Sequence, residues 1–463
     1  MAGLAGCTAA NSAQPELPGR TPAQWSEVKA RPVSQDLSQY WTQLDDPVLT
    51  RLVEQAIANN LDMAQAAARL DQARAALKGA QSQYFPQVSG NAGAQKDVGD
   101  LARKDVQYSL GGSASWEIDL FGRIGGSVAA SRADLAAAGY SLADMQRLVA
   151  GQVAQNVISA RATAAQLAIA RSTLANDAEN LQIARWRNEA GLVSSLDVEQ
   201  ARGQRAQSAA AIPQLESNLA ATANAISTLI GEPPGRVLAL LEEQQPATVP
   251  VPPVLAGFAP PAEVLRRRPD VRAAEASLVA DSARVGVAKA QLLPLLQLSG
   301  QVNTAAPRIG DLFDIVTGGL FATVSQLIFD GGRARANVRG AQAAARGSLA
   351  AWHKAILTAL ADVETAATAE DAARRRLAST REALDAANSA AILARSQYRA
   401  GLTDFVTLLN VESRLLSARN AVVQTEAARA SAFVQLTQAL GGGWTASQYP
   451  LLPGKGAANY GNP

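Results

Sequence analysis

Gln83-Tyr84-Phe85-Pro86-Gln87 and Gln291-Leu292-Leu293-Pro294-Leu295 are two versions of one junction. Pro86 and Pro294 stand 208 positions apart (294 − 86). Phe121, in Asp119-Leu120-Phe121-Gly122-Arg123, and Phe329, in Leu327-Ile328-Phe329-Asp330-Gly331-Gly332-Arg333, keep the same offset. Ala190-Gly191-Leu192 returns as Ala400-Gly401-Leu402, and Gly231 returns as Gly441, each 210 positions on. An offset held over four landmarks marks two copies of one structural unit. The division that follows is a tail over 1–45, a first repeat over 46–235, a Pro-rich linker over 236–260, a second repeat over 261–441 and a tail over 442–463.

Helices lead into both prolines. Asp46-Pro47 has the cap-plus-proline form of a helix start, and Val48, Leu49, Leu52, Val53 and Ile57 recur at helical spacing. After Asn59-Asn60 a second helix is predicted from Leu61 to about Gln83, with its counterpart from Asp270 to about Gln291. Past each proline the period changes to 2. Val88, Gly90, Ala92 and Ala94 oppose Gln87, Ser89, Asn91 and Gln95. Tyr108, Leu110, Gly112, Ala114, Trp116, Ile118 and Leu120 oppose Gln107, Ser109, Gly111, Ser113, Ser115, Glu117 and Asp119. Leu296, Leu298, Gly300 and Val302 oppose Gln297, Ser299, Gln301 and Asn303, and a fourth strand is expected over about 319–329. Alternating side chains point to opposite faces of a strand, so these strands have one apolar and one polar face. Two readings stay open: a sheet half-buried on a soluble core, or a lipid-facing wall around water. Four strands cannot close a barrel, for which about eight are the practical minimum, so the second reading requires several chains to share one.

Very long helical stretches follow the strand pairs, from about 122 to 188 and from about 332 to 399, each free of proline. At 1.5 Å per residue such a stretch makes a rod of roughly 100 Å. Their partners run from about 194 to 230, with Pro213 inside, and from about 403 to 440. Leu408, Leu415, Val422 and Leu436 share a heptad position that Arg429 interrupts.

Composition removes several functions. The net charge is +2 and no basic block occurs, which argues against a nucleic-acid partner. No apolar run reaches 18 residues, so no membrane-spanning helix is expected. One His and one Cys leave no disulfide and no His-based metal cluster, and no cofactor is expected. No nucleophile elbow or phosphate loop points to an enzyme. A soluble coiled-coil scaffold is the other competing class, and it has no use for four strands with an apolar face. Leu4-Ala5-Gly6-Cys7 has the form of a bacterial lipobox, in which the Cys thiol is acylated. No charged and apolar leader stands ahead of Cys7, and a longer natural start is expected.

Three segments carry a family resemblance: Trp116-Glu117-Ile118-Asp119-Leu120-Phe121-Gly122-Arg123, Leu265-Arg266-Arg267-Arg268-Pro269-Asp270-Val271-Arg272-Ala273-Ala274-Glu275, and Ile328-Phe329-Asp330-Gly331-Gly332-Arg333. With the twofold repeat, the strand pairs and the lipobox, they make the chain resemble the TolC-like outer membrane factors. The closest likeness is to their NodT/OprM-like lipoprotein branch, which serves resistance-nodulation-division (RND) efflux. The resemblance implies an α+β membrane protein. It would be a homotrimeric channel with a shared 12-stranded β-barrel, four strands per chain, and a long α-helical periplasmic barrel. It further implies a lipid-anchored place in the outer membrane, a periplasmic adaptor, an inner-membrane RND transporter and passive exit of small molecules. A type I protein-secretion duct is the alternative within the class.

In that family the gate lies where the helix pairs turn, which falls on the loops at Gly191 and Gly401. Tyr398 matches the family's gating tyrosine, though packing between helix ends explains it equally. Six and nine positions past the glycine, where some members carry cation-binding aspartates, this chain has Thr407 and Asn410. Asp404 and Asp197 are the nearby acids. Asp404 also suits a helix N-cap, a common place for Asp.

Overall fold

The computed structural model describes residues 22, 24–26, 36–99, 105–243, 248–254, 257 and 259–445; Cys7 lies outside them. Its elements are α1 (Pro47–Asn59), α2 (Leu61–Gln81), β1 (Gln87–Gln95), β2 (Gln107–Ile118), α3 (Arg123–Glu189), α4 (Ser195–Leu229), α5 (Arg236–Glu243), α6 (Pro261–Arg267), α7 (Pro269–Ala290), β3 (Leu295–Ala306), β4 (Val316–Ser325), α8 (Arg333–Arg399) and α9 (Phe405–Ala439). The duplication is explicit in their lengths: α3 and α8 have 67 residues each, α4 and α9 have 35 each. Helix α4 continues through Pro213. Among the described residues no helix is long and apolar enough to cross a membrane.

The chain divides into two compact units. The first holds Ala68–Tyr140 and Asp270–Ala355. Its four strands form one antiparallel sheet in the order β1-β2-β3-β4. The register aligns like with like. Val88, Ala114, Gly300 and Leu320 stand in one row, and Trp116, Leu298 and Ala322 in another. Ser89, Ser113 and Gln301 share a row on the opposite face, where the Ser89 and Ser113 hydroxyls are hydrogen-bonded at 2.9 Å. Leu295, Ala305 and Phe321 are the apolar exceptions on the polar face of β3 and β4. The apolar face is bare: Val88 is 79% exposed, Leu320 92% and Val324 69%. A soluble sheet would bury that face on its own core, so the register and the exposure favour the lipid-facing reading.

The fourth strand differs from expectation. It spans Val316–Ser325 rather than reaching 329. Gln326, a polar residue in an apolar row, leaves the ladder and its amide donates to the Leu292 carbonyl at 3.0 Å. Beside the sheet, Ala80 and Leu77 of α2 pack on Ile124 and Val128 of α3. Arg284 of α7 pairs with Asp134 of α3 and Asp281 of its own helix. Arg123 at the start of α3 is held by Glu117 of β2 in a two-pronged ion pair.

The second unit holds Arg20–Ala67, Ser141–Pro269 and Ile356–Pro463. Its main core joins Leu49, Leu52 and Val53 of α1 to Val153, Val157 and Ile158 of α3, Leu219 and Ile226 of α4, and Phe433 and Val434 of α9. Packing begins ahead of residue 46: Tyr40, Trp41 and Leu44, in a short 3-10 helix, are buried in this core. Asp46 caps α1 through the Val48 and Leu49 amides, as the sequence suggests, and also receives the Arg161 guanidinium at 2.9 and 3.1 Å. Helix α5 occupies the head of the Pro-rich segment, with Val237 and Leu241 in the core. Arg429 interrupts the heptad because it serves another purpose: it donates to the Pro252 carbonyl at 2.9 Å and faces Glu370 at 3.9 Å.

The α1–α2 junction grips the end of α4. The Asn60 amide donates to the Leu229 carbonyl at 2.8 Å. Gly231 has φ 71°, and a Cβ there would stand 2.7 Å from the Asn59 carbonyl oxygen. At Gly191, φ is 70° but a Cβ meets nothing within 4 Å. Gly191→Ala is therefore expected to introduce only left-handed strain, a destabilisation of roughly 1–2 kcal/mol. Gly231→Ala adds a backbone clash and should lower the thermal unfolding midpoint of the purified protein clearly further. Equal midpoints for the two variants would contradict this packing.

Candidate functional site

The two places where long helices reverse are built alike. At the first, the Gly191 amide donates to the Asn188 carbonyl at 2.9 Å and the Leu192 amide to the Arg187 carbonyl at 2.8 Å. At the second, Gly401 donates to Tyr398 at 3.0 Å and Leu402 to Gln397 at 2.8 Å. Gly191 and Gly401 have φ of 70° and 76°. This pair of bonds, with a left-handed glycine just past the helix, is the Schellman closure that satisfies the last carbonyls.

The next helices start differently. Asp404 is the N-cap of α9, its carboxylate accepting the Thr407 amide at 2.7 Å. Ser194, its equivalent before α4, makes no side-chain cap bond. Of the two roles open for Asp404, the cap is thus the one visible in this geometry. Thr407, by its hydroxyl and then its amide, holds the Asp404 carboxyl below the usual range. A carboxylate depressed in this way stabilises the fold above its unfolded pKa, and the contribution fades as pH falls through the folded value. Asp197 lies half-buried in the first turn of α4; Thr407 and Asn410 are exposed on the opening turns of α9. Asp197 and Thr407 occupy equivalent positions, so one repeat carries a carboxylate where the other carries a hydroxyl.

Arg187 ties the two turns together, a role that sequence reading missed. Its guanidinium donates to the Tyr398 carbonyl at 2.8 Å and lies 4.7 Å from the centre of the Tyr398 ring. A cation at a helix C-terminus is ordinary on dipole grounds, so nothing in the local sequence singles Arg187 out. Tyr398 is buried, with Leu181 and Ala184 of α3, Ala201 of α4 and Leu408 of α9 around it. Its ring stands 5.6 Å from that of Phe405. The Tyr398 hydroxyl has no hydrogen-bond partner among the described residues. Burial pushes its pKa up, Arg187 pulls it down and the Asp197 carboxylate pushes it up, which places Asp197 within electrostatic reach. Around this centre Arg399 pairs with Glu179 at 2.9 Å, and Arg395 clasps Glu412 with both prongs. Glu179, Arg395, Arg399 and Tyr398 border a cavity of about 60 Å³. Among the described residues no group of acids, His or Cys is arranged to hold a metal ion. The arrangement can latch helices and present charge; it has no bond to break.

A bare apolar sheet face, two open strand edges and long helix pairs joined by latched turns define a wall segment of an oligomeric channel. The chain belongs to the outer membrane efflux protein family, whose model matches residues 52–232 and 261–442. It is 33% identical over 444 residues to the pyoverdine export outer membrane protein OpmQ of Pseudomonas aeruginosa, covering 93% of each chain. Nodulation protein T of Rhizobium leguminosarum bv. trifolii is 30% identical over 453 residues, covering 95% of each. Among solved structures, the outer-membrane channel OprN superposes with a TM-score of 0.82 at 33% identity, over 94% of this chain and 99% of that one. The protein is therefore an outer membrane efflux channel and not an enzyme: a homotrimer in which each chain gives four strands to a shared 12-stranded barrel and its long helices to a periplasmic helical barrel. The family is one of efflux proteins and OpmQ is an export protein, and none of the relatives named here is a protein-secretion duct.

The unpartnered hydroxyl separates packing from hydrogen bonding at Tyr398. Tyr398→Phe should change unfolding stability by less than about 0.5 kcal/mol, because only an unsatisfied oxygen is removed. Tyr398→Ala should cost about 3 kcal/mol or more by leaving a cavity. A denaturant melt of the purified trimer checks both; a large loss in the Phe variant would mean that the hydroxyl is bonded in the trimer.

Proposed function

We propose that this channel is the exit duct of a tripartite pump for small organic molecules. An inner-membrane RND transporter supplies the energy and a periplasmic adaptor couples it to the duct. The sheet carries this reading: its polar row of Ser, Gln and Asn makes a wet lumen wall, and a passive wall leaves cargo choice to the pump. The names of its relatives support the cargo class. One, at 30% identity over 414 residues, is the toluene efflux pump outer membrane protein TtgI of Pseudomonas putida. The chain reads as two repeats, 46–235 and 261–441, joined by the segment 236–260, with the tail over 1–45 carrying the lipid anchor. In a host lacking its own exit channel but supplied with a cognate adaptor and transporter, the protein should restore export of a small apolar dye. Normal bilayer conductance without restored export would overturn the tripartite reading while leaving the channel intact.

The gate is assigned to the paired turns. Tyr398, fixed by Arg187, closes the helix ends, and Asp197 supplies the charge. Asp404 acts mainly as the cap that holds α9 in register, while Thr407 and Asn410 line the same mouth without charge. Three copies of Asp197 drawn together repel one another, and a divalent cation relieves that repulsion. Asp197→Ala should raise single-channel conductance in planar bilayers and weaken divalent block roughly tenfold. Asn410→Asp should tighten the block. Asp404→Ala should leave the block unchanged and lower thermal stability. Undiminished block in the Asp197 variant removes it from the gate.

Cys7 is the lipid attachment site in this reading, since its thiol follows Leu4-Ala5-Gly6. In full-length protein, Cys7→Ala should abolish incorporation of radiolabelled palmitate while the trimer still inserts. Label retained in the variant would place the anchor elsewhere.

A further inference from the structure

We propose that Arg335, Arg339 and Arg346 form a ladder along α8 that faces the water of the channel and attracts anionic solutes in transit. The proposal rests on the channel reading and adds a preference for cargo charge. The stretch from Gly331 to Ala361 contains Arg333, Arg335, Arg339, Arg346 and Lys354, with no Asp or Glu. At about 100° per residue, positions 335, 339 and 346 fall within roughly 40° of one another on the helix. Ala334, Trp352, Ile356 and Ala359, on another face, are the buried residues of the same stretch. All three arginines are exposed, and none has a hydrogen bond or ion pair among the described residues.

Neighbouring arginines are treated differently. Arg123 has Glu117, and Arg284 has Asp134 and Asp281. The ladder also begins at the wrong end of its helix. Asp330 caps the N-terminus of α8 through the Gly332 and Ala334 amides, but no acidic residue follows in the first turn, and the first rung of the ladder, Arg335, still lies at the positive end of the helix dipole. An anion drawn to this face relieves both the mutual repulsion and the dipole mismatch. Arginine suits the task, because its weakly hydrated fork accepts carboxylate or phosphate in two-pronged geometry.

A neighbouring copy cannot neutralise the ladder. Within the unit the helices follow one another through α2 on α3, α3 on α7 and α7 on α8, the last joined by the Ser348 and Asp281 side chains. Helices α2 and α8 are thus the outer members, just as β1 and β4 are the open strands. Closing the trimer brings the α2 helix of the next copy beside α8. From Ala68 onward, α2 offers Arg69, Asp71, Arg74 and Lys78, and Asp71 already pairs with Arg74. It brings more positive charge and no spare carboxylate.

Lipid phosphate is the rival source of negative charge, and two features disfavour it. From 335 to 346 the ladder rises about 16 Å along the helix axis, whereas a headgroup belt gathers its contacts at one level. Interfacial belts also carry Trp and Tyr, and residues 333–351 hold no aromatic residue. Three copies give nine guanidinium groups along the path of dissolved solutes.

The test uses the full-length trimer in planar bilayers under a potassium chloride gradient. Conductance itself reports the channel; the reversal potential reports the ladder. Replacing the three arginines together (R335Q/R339Q/R346Q) should raise the potassium-to-chloride permeability ratio roughly threefold, since a cationic wall concentrates anions near it. The change should appear equally in phosphatidylcholine and in phosphatidylglycerol-containing bilayers. The matching lysine variant (R335K/R339K/R346K) should keep the wild-type ratio. An unchanged ratio in the glutamine variant overturns the proposal. A change confined to the anionic bilayer also overturns it, assigning the ladder to lipid phosphate. If the triple variant does not assemble, Arg339→Gln alone should shift the ratio in the same direction, and no shift there overturns the proposal equally.

Discussion

Everything in this molecule depends on a sheet that cannot be finished by one chain. Strands β1 and β4 each present an edge of unpaired amides and carbonyls, and one face of the sheet is apolar and uncovered. In hydrocarbon each unmet backbone group costs several kcal/mol, so open edges are not tolerated there. Closure by further copies satisfies edge and face together. The same operation that pairs β4 with the β1 of the next chain turns the polar rows of Ser, Gln and Asn inward to water. Oligomerisation, insertion and lumen chemistry are one event seen from three sides.

The helical part obeys a different constraint. Ala-rich helices permit close backbone approach, and the core is mostly small and branched residues, with Tyr40, Trp41 and Phe433 as its aromatics. Long helices ending in free turns would fray. Here both turns are closed by paired backbone bonds around a left-handed glycine, and Arg187 joins one to the other through the Tyr398 carbonyl. The bond runs to a backbone atom, so the latch holds the turn itself and not merely a side chain.

What could be read in the sequence was what repeats locally. Period 2 past Pro86 and Pro294 gave the strand faces, and the long proline-free stretches gave α3 and α8 within a residue or two. The twofold repeat was visible because four landmarks kept their spacing. What was hidden depends on partners distant in the chain. Gln326 reads as a strand residue until the Leu292 carbonyl is seen beside it. Arg429 reads as a flaw in a heptad until Glu370 and Pro252 appear. Tyr40 and Trp41, placed in a tail by their position ahead of the first clear helix, are buried core residues. At the turns the glycines and Tyr398 announce themselves, whereas Arg187 has no local signature.

The matched helix lengths carry a consequence for how such a chain can change. Between the repeats the offset grows from 208 at Phe121 and Phe329 to 210 at Arg123 and Arg333. The two added residues fall in the connection Asp330-Gly331-Gly332, whereas Gly122 alone bridges the same gap in the first repeat. Inside α3 or α8 a single added residue would rotate every later side chain by about 100° and slide it 1.5 Å. It would set the tip of one helix pair out of step with the other and part Arg187 from Tyr398. Insertions and deletions in this lineage are thus confined to loops, or must come as near-whole turns made in both halves at once. The duplicated gene keeps its two copies in length register for as long as the two turns remain bonded to each other.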